Sequence, residues 1–118
     1  MDFVQYLEKL SELDQHGISE MPDYKDVKVN IANIMNDIII ETQLIPDKYK
    51  RKKAQRKLSI MTDCIDEIFK NLDELYEKAV DVKTEDEWKE HSKLYCERIK
   101  RQLELCNDAQ KELTKILE

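Results

Sequence analysis

The chain has 118 residues, enough for one domain with a real core and too few for two. Hydrophobic residues make up 41% and charged residues 39%, and one glycine with two prolines leaves too few turn residues for a β-rich or Rossmann-like fold. The formal net charge of −6 argues on its own against a nucleic-acid protein, and no apolar run approaches the roughly 20 residues that span a bilayer.

The first expected helix covers about residues 2–15, where Phe3, Tyr6, Leu7, Leu10 and Leu13 share one face. Gly17 suits the position after its end, and Pro22 closes the connection. The second runs from about Asp23 to Leu44. Val27, Ile31, Ile34, Ile38 and Ile45 form its main stripe, widened by Met35, Ile39 and Ile40. So wide a stripe implies burial on more than one side, as in a central helix or an oligomer contact. Met35, Ile39 and Ile40 are therefore the expected interface residues.

Pro46 ends the second helix, and Asp47 or Lys48 opens the third. Ala54, Leu58, Met61, Ile65, Ile68, Leu72, Leu75 and Ala79 recur at alternating steps of four and three, the seven-residue repeat of coiled-coil packing. Thr84 and Glu87 then form a capping box before the fourth helix. Its stripe is Trp88, Ser92, Tyr95, Ile99, Gln102, Cys106, Ala109, Leu113 and Ile116. A loop of about four residues forces the two long helices antiparallel. The expected fold is an all-α antiparallel bundle of about four helices in a single domain spanning 1–118.

Catalytic chemistry is not expected. His16 and His91 are isolated, and Glu87-Trp88-Lys89-Glu90-His91 spaces its Glu and His by four rather than the three of a di-iron bundle. His91 lies one turn from Glu87 and could pair with it. A hidden active site would need carboxylates converging on His91. Neither a metal site nor a cofactor is expected, and one glycine cannot build a phosphate loop. Cys64, Cys96 and Cys106 lie in helical patterns and read as reduced, core-filling thiols, which with the absence of an export signal at the N-terminus favours the cytoplasm.

The charge is segregated. Residues 47–57 carry Lys48, Lys50, Arg51, Lys52, Lys53, Arg56 and Lys57 against Asp47 alone, a net +6, leaving −12 for the rest. Cations at a helix start oppose the helix dipole, so something offsets them. Two readings stand: acidic neighbours in the fold or a sister subunit, or the phosphate backbone of RNA or DNA, with Tyr49 offering a face for stacking. The chain is thus expected to be a non-enzymatic nucleic-acid-binding accessory protein, with a protein–protein adaptor or structural module as the alternative.

Ile45-Pro46-Asp47-Lys48-Tyr49 followed by Ala54-Gln55-Arg56 resembles a four-helix-bundle superfamily, as does the spacing from Trp88 to Leu105. That superfamily includes the accessory variability determinants of diversity-generating retroelements and the proteins encoded by intervening sequences in bacterial 23S rRNA genes. The likeness covers about residues 27–105. Ala54 stands where the family usually has glycine, and the chain is acidic where accessory variability determinants are basic. The resemblance implies a barrel-like homo-oligomer, pentameric in that family, that binds nucleic acid and a reverse transcriptase, with the basic residues at 48–57 as the surface carried over.

Overall fold

The computed structural model describes residues 25–118, and every described element is helical: α1 (Lys25–Gln43), α2 (Lys48–Ala79) and α3 (Glu85–Leu117). The helix expected over about residues 2–15, with Gly17, His16 and Pro22, lies outside the described residues. Three of the four expected helices are therefore described, two of them long.

Local chemistry sets each boundary. Ile45 precedes Pro46, which disfavours helical geometry there, and α1 closes through the Leu44 N–H donating to the Ile40 carbonyl at 3.2 Å. Asp47 then caps α2 from an extended conformation, its carboxylate accepting from the Lys50 N–H at 3.0 Å. Thr84 does the same for α3, accepting from the Glu87 N–H at 3.2 Å. The Glu87 carboxylate reaches back, as a capping box requires, but to the Lys83 N–H at 3.1 Å, one residue before the cap. It is thereby committed to the loop, and His91 stands exposed. The two long helices differ at their starts. The first turn of α3 holds Glu85, Asp86 and Glu87, which suit the positive end of the dipole, whereas that of α2 holds no acid.

The five residues 80–84 join α2 to α3 and turn the chain back on itself, so the long helices pack antiparallel along a molecule whose longest axis is 56 Å. Their seam is the core. On α2 the predicted row from Ala54 to Leu75 is buried throughout, with Ala79 half-buried at its end. On α3, Trp88, Ser92, Tyr95, Ile99, Cys106, Ala109 and Leu113 are buried as expected. Gln102 is only half-buried, and Leu103 beside it is buried instead. A strict heptad drifts by about 20° per repeat on a straight helix, so the buried seam of a long helix migrates onto an adjacent row. Leu103 lies one heptad from the buried Cys96 on that row.

α1 packs mainly on α2 and runs antiparallel to it. The Lys28 ammonium near its start lies 5.5 Å from the centre of the Phe69 ring, while Arg51, near the start of α2, donates from Nη1 to the Ile45 carbonyl at 3.2 Å. Its buried row is Ile31, Met35 and Thr42, with Ile34, Ile38 and Ile45 half-buried. Thr42 interrupts the apolar pattern, yet it is fully buried. Its hydroxyl donates to the Ile38 carbonyl at 2.8 Å, so no polar group is stranded. Asn71 and Ser92 are satisfied in the same way, by the carbonyls of Glu67 and Lys89. No helix among the described residues is long and apolar enough to cross a membrane.

Candidate nucleic-acid interface

The antiparallel hairpin brings the start of α2 beside the end of α3. Between them opens a cleft of about 750 Å³ whose lining includes Tyr49, Lys50, Lys53, Lys57, Glu112 and Lys115. Lys50, Lys53 and Lys57 are spaced by three and four residues and so share one face of α2. Lys48, Lys52 and Arg56, spaced by four, form a second row farther round the helix. Together the two rows make a basic collar at one end of the molecule, to which α3 adds Lys115. Tyr49 stands between the rows at 79% exposure.

The seven predicted cations divide into two groups. Arg51 and Lys57 serve the fold: Arg51 is half-buried and ties down the α1–α2 turn through the Ile45 carbonyl, and Lys57 forms an ion pair with Glu112 of α3. That pair, with Lys115 and Lys53 near, holds the Glu112 carboxyl below its ordinary range. The other five, Lys48, Lys50, Lys52, Lys53 and Arg56, are exposed and form no ion pair among the described residues. Among the described residues, Glu112 is thus the acidic neighbour that the charge pattern called for, and there it pairs with one cation of the seven.

The three residues expected at an interface do not form one surface. Met35 is 8% exposed within the core of the chain itself, and Ile39 is half-buried in the groove where α1 meets Thr62, Ile65 and Phe69 of α2. Ile40 is 57% exposed and points away from both. The three cysteines are buried thiols. Burial pushes Cys106 up to about 12, with Cys64 adding to the effect, and raises Cys64 as well, helped by Asp63. Such thiols stay protonated and make poor nucleophiles. Among the described residues no cluster of three or more His, Cys, Asp or Glu side chains could hold a metal ion.

Comparison with known proteins finds no matching family model, no matching curated protein and no matching solved structure.

Proposed function

We propose that the chain is a non-enzymatic accessory protein that binds the phosphate backbone of RNA or DNA through the basic collar at the start of α2. One observation carries this reading. Five cations sit exposed and, among the described residues, without an ion pair near a helix start whose dipole disfavours them, and two of the five, Lys50 and Lys53, line an open cleft with Lys115. Each phosphate placed there offsets both the mutual repulsion of the lysines and their conflict with the dipole. Ligand binding would come mainly from charge, since release of counterions rewards every phosphate neutralised and carries no sequence information. The net −6 of the whole chain does not oppose this, because charges farther than about 8–10 Å from the bound strand are screened at physiological ionic strength.

The test is a fluorescence-anisotropy titration of a mixed-sequence RNA and of a DNA duplex at two salt concentrations. Binding that weakens steeply with salt and disappears when Lys50, Lys52, Lys53 and Arg56 are changed to glutamine supports the proposal. No binding at low salt removes it.

A further inference from the structure

The aromatic side chains of the described residues divide sharply by exposure. Phe69, Trp88 and Tyr95 are buried and Tyr76 is half-buried, whereas Tyr49 is 79% exposed. The rings of Phe69 and Tyr95 also carry cations over their faces, Lys28 on the first and Lys78 with Arg98 on the second. Tyr49 has Lys52 and Lys53 three and four residues on, its neighbours one turn along α2, yet among the described residues no cation covers its ring. One exposed ring is ordinary by itself. This one lines the cleft, and the half-buried Ile116 of α3 adds a second apolar side chain to the lining. Lys50, Lys53 and Lys115 supply the lining's cations without an ion pair among the described residues. Of its acids, Asp47 is committed to capping α2 and Glu112 to Lys57, which leaves Glu118 against those three.

We propose that Tyr49 stacks one unpaired base at the cleft, so that the collar recognises single-stranded nucleic acid. This rests on the phosphate-binding reading above and adds to it the form of the strand. Cations cannot make that distinction, because single strands and duplexes both carry their phosphates on the outside. An aromatic ring can. In a duplex each base face is already covered by the neighbouring base pair, so Tyr49 finds no free π-face. In a single strand a base can leave its neighbours and lay its face on the ring, worth about 1.4 kcal/mol for each tenfold gained in affinity. Lys52 and Lys53, about 5–6 Å away along the helix, then meet the phosphates that flank that base. The cleft of about 750 Å³ falls within the roughly 300–1,000 Å³ of sites that enclose a small organic molecule, room for about one or two nucleotides but not for a duplex. Every base offers a π-face, so the selection is for strand form and carries no sequence preference.

Anisotropy titrations of the full chain test this with a labelled mixed-sequence single strand, its duplex, and a strand of the same length in which abasic sites replace the bases. The wild type is expected to bind the intact single strand more tightly than the duplex, and about fivefold or more tighter than the abasic strand. Tyr49→Ala should lose that factor on the intact strand and bind the intact and abasic strands alike. Its duplex binding should stay unchanged, which a variant that had merely unfolded could not show. Tyr49→Phe keeps the ring and should bind as the wild type does. A wild type that prefers the duplex overturns the proposal. So does a loss in Tyr49→Ala that is equal on both strand forms or absent from both, or an abasic strand bound as tightly as the intact one. These results would leave the collar's phosphate binding in place, whereas no binding to any of the three ligands removes both readings.

Discussion

The division of the seven cations into five exposed and two structural makes a quantitative prediction about salt. On duplex DNA, log Kobs falls against log salt with a slope of about −0.9 for each phosphate neutralised. If the five exposed cations each meet one phosphate, the slope is about −4.5, and affinity falls about 500-fold between roughly 50 and 200 mM salt. Changing Lys52 to glutamine should then reduce the magnitude of the slope by about 0.9, and changing Lys52 and Arg56 together should reduce it by about 1.8. Arg51→Gln should leave the slope near its original value. It should instead lower stability by about 0.5–1.5 kcal/mol, because the Ile45 carbonyl loses its donor. Glu112→Gln has the opposite sign: it releases Lys57 from its ion pair and adds a sixth cation, so binding tightens and the slope steepens by about 0.9. The assay is anisotropy of a labelled duplex across at least four salt concentrations, with urea unfolding of each variant alongside. A slope that responds to Arg51 and ignores Lys52 and Arg56 would refute the assignment of roles.

Two further outcomes follow from the core. Ile68 is fully buried in the middle of the α2–α3 seam, so Ile68→Ala should lower the unfolding free energy by about 2–5 kcal/mol, read as an earlier urea midpoint with an unchanged slope. Cys106 keeps its proton up to about 12 in the folded chain, against an ordinary value of 9.0 in the unfolded one. A raised folded-state value means that its contribution is fully present below pH 9 and lost as the pH rises toward 12. The loss should be at most about 1.4 kcal/mol per pH unit within that window. Cys106→Ala should flatten this alkaline limb, and an unaltered limb would show that the thiol is not what titrates.

Much of the fold was legible because short-range chemistry fixed it. Asp47 and Thr84 cap the helices that their side chains announce, and the strict repeat from Ala54 to Leu75 is the buried row. The misses share one cause: burial depends on neighbours as well as on residue type. Thr42 reads as a break in an apolar stripe, but a threonine that donates to its own helix carries no polar cost into the core. Gln102 fits the heptad better than Leu103 does, and the drift of a long helix against its partner gives the place to leucine. The widening residues of α1 show the same limit. Met35 faces α2 and Ile40 faces away, a distinction that needs the direction from which α2 approaches.

The candidate site was legible as a charge run and opaque in its roles. Nothing in Lys48–Lys57 distinguishes Arg51 from Lys52, since both are basic and adjacent. The difference is that Arg51 turns toward the Ile45 carbonyl and Lys52 toward solvent. Finding Glu112 as the partner of Lys57 requires the register of α2 against α3 to within a turn, which a five-residue loop does not fix. The cleft itself owes its openness to where α1 packs. α1 covers the Thr62, Ile65 and Phe69 side of α2, whereas Lys50, Lys53 and Lys57 border the last turns of α3, so the packing of α1 leaves the basic end of the hairpin clear.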